Sequence, residues 1–301
     1  MTTTSAIPAT PDPVQDLRPV SNRGRRGVPP VALIAPAFLF TIVLTVVPVG
    51  ATVIRVITDG GSGVREMFNI PNFGRVMANT AIWTGLSVVG GLLVGYAAAL
   101  LLQSKSLRLV GLWRSLVMIP WIIPGVVGAT IWRWTLSTDY GILNGTLLNL
   151  HIIGSPIAWL SNPDVVLYAV AVVQIWVTAP FATLMVSAAL AGIPAERYEA
   201  SRLDGATSLQ ILRFIVLPGI RATSGIVVLT LAIWALNSFT VIWVSTSGGP
   251  AGASTILPIL LYQAFQNGDE SLTAAVAVLQ LLICAVFAVI YVRVTRTDVE
   301  A

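Results

Sequence analysis

Six stretches of this chain carry no charged side chain over a length that can cross about 30 Å of hydrocarbon: residues 28–54, 76–104, 115–132, 165–195, 222–268 and 271–292. Inside a bilayer the backbone finds no water, so each stretch must close its N–H···O=C bonds internally, and the helix does this within one segment. Only 10% of the 301 residues are charged against 55% apolar, a balance that soluble domains do not show. The expected fold class is an all-α membrane protein with six transmembrane helices.

Two stretches bear on that count. Tyr140–Pro163 is also uncharged, but Gly141, Asn144, Gly145, Asn149, His151, Gly154 and Pro156 suit it poorly to lipid, and it reads as an external loop. Residues 222–268 have room for two crossings, yet Gly248-Gly249-Pro250 and Gly252 interrupt them. The remainder, Thr255–Phe265, is too short to cross and fits an external or re-entrant helix. Residues 1–30 are rich in Thr, Pro and Arg without apolar periodicity, which predicts a flexible cytoplasmic tail. The first apolar run is too long for the core of a cleavable signal and reads as an uncleaved anchor. The expected division is a tail of residues 1–30, a six-helix membrane domain of residues 31–295 and a short cytoplasmic tail of residues 296–301.

Basic residues set the orientation. With the N-terminus inside, Arg18, Arg23, Arg25, Arg26, Lys105, Arg108, Arg114, Arg197, Arg202, Arg213, Arg221, Arg293 and Arg296 fall on the cytoplasmic side, 13 of the 17 Lys and Arg. Arg55, Arg65, Arg75 and Arg133 fall outside. Both termini are therefore expected in the cytoplasm. The net charge of +4 follows from this asymmetry, and nucleic acid is not an expected partner.

Several chemistries lack their residues. A phosphate-cradling loop ends in Gly-Lys, but the single lysine, Lys105, follows Ser104. No acidic or basic side chain lies in the centre of a span, where proton- and ion-driven carriers keep one. His151 is the one histidine and Cys284 the one cysteine, so neither a Ser-His-Asp triad nor a metal cluster has its parts. No catalytic or metal residue is assigned. Asp269-Glu270 sits at the start of the last span, where it offsets the helix dipole.

Between two long uncharged stretches stands a polar island, Glu196-Arg197-Tyr198-Glu199-Ala200-Ser201-Arg202-Leu203-Asp204-Gly205. Pro194 and Ala195 open a helix over Glu196–Leu203, with acidic residues in its first turn. Gly205 permits a turn that a Cβ would resist. A second helix is expected from about Thr207 to Phe214, offering Leu209, Leu212 and Phe214, before Pro218 redirects the chain into the membrane. A helix–turn–helix of this composition can lie on lipid head groups, or it can project a knob into a partner protein.

The spacing adds a resemblance. Glu199-Ala200-Ser201 is followed after three residues, Arg202, Leu203 and Asp204, by Gly205, and after nine more by Ile215-Val216-Leu217-Pro218. This resembles the cytoplasmic EAA signature of permease subunits in binding-protein-dependent ABC importers, with Ser201 where the family has alanine. Trp132, Gly141-Ile142-Leu143-Asn144, Asn237, Phe239, Ser247-Gly248-Gly249-Pro250, Tyr262 and Phe265 are similar to the maltose-type carbohydrate branch. The short stretch between Asp59 and Arg75 departs from that branch's largest members, which insert a folded external domain there.

The resemblance implies the type I ABC importer permease fold in a bacterial plasma (inner) membrane. It implies a second homologous permease subunit, two ATP-binding subunits and an extracytoplasmic solute-binding protein as partners. ATP and Mg would then be bound on the ATPase, with no cofactor on this chain. Residues 196–218 would be the coupling segment: Glu199, Arg202 and Asp204 would pair with charges of the ATPase, and Leu209 and Leu212 would fill its groove.

For a solute path, Gln174, Thr178 and Phe181 fall on one helix face, and Trp234, Asn237, Ser238 and Val241 on another. Tyr262 joins them through the resemblance. Amides beside aromatic rings suit a sugar. Gln174 and Asn237 would serve equally to hold helices together in a bilayer. The cargo stays open between a sugar or related polyol or oligosaccharide and another solute, such as glycerol phosphate, a polyamine or an amino acid. A self-sufficient secondary carrier is the reading from a different class.

Overall fold

The computed structural model describes residues 30–104 and 107–297. Most of the expected N-terminal tail lies outside them, with Arg18, Arg23, Arg25 and Arg26, as do Lys105 and residues 298–301. The chain divides into two units, residues 1–50 and 51–301. The first holds α1 (Pro30–Thr41), a π turn at Ile42–Val46 and the start of α2 (Val47–Thr58). The Val47 N–H reaches back five residues to the Ile42 carbonyl, and Pro48 follows. A widened turn suits a proline that has no N–H for the regular ladder. All residues from Ile34 to Val49 are exposed.

The second unit continues through α3 (Ser62–Asn69), α4 (Phe73–Leu102), α5 (Val110–Ile122), α6 (Gly125–Thr135), α7 (Ile142–Asn149), α8 (Val166–Ala191), α9 (Ala195–Leu203) and α10 (Ser208–Ile211). A second π turn, Leu212–Val216, leads into α11 (Leu217–Gly219), α12 (Arg221–Leu236), α13 (Thr240–Thr246), α14 (Leu257–Gln266) and α15 (Glu270–Thr297). Among the described residues, four helices are long and apolar enough to cross a membrane: Ile34–Thr58, Phe73–Leu102, Val166–Ala191 and Glu270–Arg293. Two bent pairs bring the number to six if each is one span.

Those bends correct the sequence expectation. Residues 115–132 were expected to form one helical crossing, but they are divided between α5 and α6, which meet at 99°. Pro124 forces extended backbone on its predecessor, and Ile123 sits at φ −70°, ψ 129°. The expected helix Thr207–Phe214 runs on to Gly219 through Pro218, because the π turn absorbs the missing N–H, and the chain then turns 71° into α12. Within the expected loop Tyr140–Pro163 the structure places the two-turn helix α7. The helix expected over Thr255–Phe265 is α14, ten residues long.

α8 lies at the centre of this unit and packs chiefly against α4. The contact depends on small residues: a Cβ on Gly95 would stand 2.4 Å from the Ala182 Cβ, and one on Gly90 would stand 2.2 Å from Ile175 Cδ1. Close approach of this kind lets backbones pack in a bilayer where burial itself gives no drive. Trp83 of α4, fully buried, joins Val166, Val170 and Val173 of α8 to Ile242 of α13 and Ile256. Leu93 and Leu101 of α4, Ile122 of α5 and Leu282 of α15 remain 57–76% exposed, which suits contact with lipid.

Candidate functional site

The polar island folds as two short helices joined by a tight turn. α9 closes with the N–H of Ala206 on the Ser201 carbonyl at 2.9 Å and the N–H of Gly205 on the Arg202 carbonyl at 3.1 Å. This paired closure is a Schellman motif, which needs a left-handed residue after the helix end; Gly205 supplies it at φ +77°. A Cβ there would meet no atom within 4 Å, so the demand for glycine within this chain is conformational. Thr207 then caps α10 by a capping box: its hydroxyl accepts from Gln210 N and its N–H donates to Gln210 Oε1 at 2.7 Å.

One side of this hairpin is anchored and the other is bare. Tyr198, Ile211, Leu212 and Val216 pack on Ala99 of α4 and Val186 and Leu190 of α8, and burial pushes the Tyr198 phenol pKa up. Leu212, grouped with Leu209 in sequence, thus turns inward, and Ile215 is half-buried. Facing out are Leu203 at 89%, Leu209 at 72% and Phe214 at 69% exposed, among exposed Glu199, Ala200, Arg202 and Asp204. Ser201 is half-buried and donates its hydroxyl to the Tyr198 carbonyl. Leu217 and Pro218 are exposed on the helix behind the π turn. A groove of about 730 Å³ runs beneath α9, lined by Leu100, Gln103, Tyr198, Glu199, Arg202 and Leu212 among others.

The second polar concentration is the interruption between α12 and α13. Trp234, Asn237, Ser238 and Val241 do not share one helix face as expected, because α12 stops at Leu236. Asn237 turns its amide back to the Ile233 carbonyl at 2.8 Å, a local bond that competes with helix continuation. In a membrane the carbonyls freed by such a break need other donors. Trp83 Nε1 reaches the Ala235 carbonyl at 3.1 Å and Gln280 Nε2 the Leu236 carbonyl at 3.3 Å. Ser238 donates to Gln174 Oε1 at 3.1 Å. Gln174 and Thr178 are buried on α8, the Thr178 hydroxyl bonding the Gln174 carbonyl.

Aromatic rings flank the break. Phe181 lies 4.7 Å from Trp234 and 6.1 Å from Trp121. Tyr262 packs on Phe239 at 4.8 Å and Trp243 at 4.7 Å, its hydroxyl accepting from Gln266. Rings beside amides offer a stacking surface with hydrogen bonds at its edge. Trp83 and Gln280 were missed from sequence; an amide in an otherwise apolar last helix was the one available signal.

Two further patterns acquire geometric reasons. Asn144 is 2% exposed; its oxygen accepts from Trp159 Nε1 at 2.9 Å and Ile157 N at 3.2 Å, and its nitrogen donates to the Ile157 carbonyl at 2.9 Å. A Cβ on Gly141 would fall 2.2 Å from the Ser137 carbonyl oxygen. In Ser247-Gly248-Gly249-Pro250, Ser247 and Gly248 have φ of +52° and +89°, and Thr255 and Ser254 donate to the carbonyls of Gly248 and Gly249. Asn79 of α4, itself missed, pins this loop through the carbonyls of Ala253 and Thr255, both at 3.1 Å.

At the start of α15, Asp269 caps the helix, its Oδ1 accepting from Leu272 N at 2.9 Å. Arg55 pairs with Glu270 in an exposed ion pair. Glu66 of α3 shares a hydrogen bond with the Asp269 carboxyl, which together with their like charge holds the Glu66 pKa above its ordinary value of 4.5. Hydrogen bonds from Ser271 and then Ser62 lower the Asp59 pKa.

Residues 91–297 match the family described as binding-protein-dependent transport system inner membrane component. A probable ABC transporter permease protein of Brucella suis biovar 1 (strain 1330) is 35% identical, over 80% of this chain and 83% of its own length. The trehalose/maltose transport system permease protein MalF of Thermococcus litoralis is 30% identical, over 77% and 81%. A chain in the crystal structure of a bacterial alginate ABC transporter, in complex with an alginate pentasaccharide-bound periplasmic protein, shares the fold at TM-score 0.79 and 21% identity, over 89% of this chain and 93% of that one. A multi-pass chain, helical among its described residues, thus shares the fold of an ABC importer chain and matches the family over residues 91–297, and it belongs to the inner membrane components of binding-protein-dependent transport systems, the permeases of ABC importers.

Proposed function

We propose that this chain forms half of the translocation pathway of an ATP-driven importer for a sugar or a related polyol or oligosaccharide. Energy enters from a separate ATPase through residues 196–218. The observation that carries this is the hairpin of α9 and α10: its base is packed on α4 and α8 while Leu203, Leu209 and Phe214 project. Apolar side chains this bare, rimmed by Glu199, Arg202 and Asp204, suit a protein groove. Closure of the ATPase would move the hairpin, and α4 and α8, which hold its base, would carry the motion to the break at Asn237.

The proposed assembly has a second permease, two ATPase subunits and a solute-binding protein, with both termini of this chain in the cytoplasm. The cargo class is supported by the Thermococcus litoralis relative, named for trehalose and maltose. It is supported also by the uncharged, amide- and ring-lined break, which offers no fixed charge to an ionic solute. Purification from native membranes tests the reading. Co-isolation of an ATPase and of a binding protein that retains a carbohydrate is expected; proton-driven uptake by this subunit alone would overturn it.

A further inference from the structure

Gln280 of α15 places its amide nitrogen 3.3 Å from the Leu236 carbonyl and 2.9 Å from the Asn237 amide oxygen. Its own oxygen is buried and has no hydrogen-bond partner. Gln280 commits its donors to the two consecutive residues at which α12 stops and leaves its acceptor unused.

The consequence falls on Asn237. With Oδ1 taken by Gln280, its nitrogen faces the Ile233 carbonyl at 2.8 Å and the Cys284 sulfur at 3.7 Å. The flipped amide would set donor against donor at Gln280 and oxygen against oxygen at Ile233. Sulfur is a weak acceptor, and Asn237 is exposed, so the N–H directed at Cys284 is free to exchange that partner for a stronger one.

We propose that Gln280 is a positioning residue for translocation: it locks the Asn237 amide so that the break presents an N–H donor, and not a carbonyl acceptor, to the passing solute. This rests on Asn237 lying in the solute path. The solute is then selected at this point for an acceptor oxygen, which the ring, glycosidic and hydroxyl oxygens of a carbohydrate provide.

Cys284, the one cysteine of the chain, reports on the lock. In the complete importer in proteoliposomes, Gln280→Leu and Gln280→Glu are expected to slow alkylation of Cys284 by N-ethylmaleimide at least threefold, because the freed Asn237 amide withdraws its N–H donor from the attacking sulfur. With maltose, trehalose and diacetylchitobiose as uptake probes, both variants should raise KM about fivefold or more while the maximal rate stays within twofold. Unchanged alkylation in both variants overturns the lock. A fall in maximal rate at constant KM also overturns the proposal and assigns Gln280 to packing alone. If alkylation shifts but Asn237→Leu leaves uptake unaltered, the lock is real and the premise about the path fails, and the proposal falls with its premise.

Discussion

The Ala206 N–H closes on the Ser201 carbonyl at 2.9 Å, and the residue between the helix end and that bond, Gly205, stands at φ +77°. Since a Cβ on Gly205 would meet open space, the local cost of a substitution is that of a left-handed backbone, roughly 1–2 kcal/mol for most residues and less for Asn. Coupled ATPase activity and uptake should therefore fall less in Gly205→Asn than in Gly205→Ala, and furthest in Gly205→Trp, whose ring adds bulk to the proposed docking face, with membrane abundance within twofold throughout. Equal activity in all three would separate the turn from coupling.

Asn144 holds two donors and several carbonyls of the segment around α7. Asn144→Ala leaves the Trp159 indole and the Ile157 N–H without their acceptor, and the expected cost is about 3 kcal/mol. The readout is limited proteolysis of residues 137–160 in the purified subunit, which should quicken at least tenfold; Asn144→Asp, which keeps the acceptor, should fall between.

Gly95→Ala drives a methyl to 2.4 Å from the Ala182 Cβ. Overpacking of this kind costs about 1–3 kcal/mol and should lower the thermal midpoint in detergent. Adding Ala182→Gly should restore part of the loss. No rescue would mean that α4 and α8 are kept apart by other atoms.

The Glu66–Asp269 hydrogen bond requires a proton, and the Glu66 pKa is raised above 4.5. A carboxyl with a raised folded-state pKa stabilises the fold in its protonated form. Its contribution is therefore full below about 4.5 and is lost as pH rises through the raised value. Amide exchange in α3 should accelerate with pH across that window, beyond the intrinsic chemical increase. Glu66→Gln, which keeps a donor without titrating, should abolish the excess; an excess that survives would assign the pH response elsewhere.

How far the sequence carried this reading depended on range. Residue type and local spacing were enough for α9, the Gly205 turn and the acidic cap of α15, because each is decided within a few residues. The 99° bend was written in Pro124 but read through, since the uncharged run around it looked like one crossing. Trp83 and Asn79 had no local signature and Gln280 only its amide in an apolar helix: their partners lie 152, 174 and 43 residues away along the chain, and only tertiary packing brings Trp83 and Gln280 to the end of α12 and Asn79 to the loop before α14. Leu209 and Leu212 looked equivalent by composition. The π turn after Leu212 and the anchoring of the hairpin base sent one outward and the other inward.

The central claim is that the projecting face of the α9–α10 hairpin receives energy from a separate ATPase. The most direct measurement places a photo-crosslinking amino acid at Leu203, at Leu209 and, as a control, at the exposed Leu93 within the apolar span of α4, in membranes that carry the native partners. The account predicts that crosslinks to an ATP-binding subunit form at Leu203 and Leu209, change in yield when ATP and vanadate are added, and are absent at Leu93. ATP-dependent uptake by the same membranes without any such crosslink at Leu203 or Leu209 would contradict it.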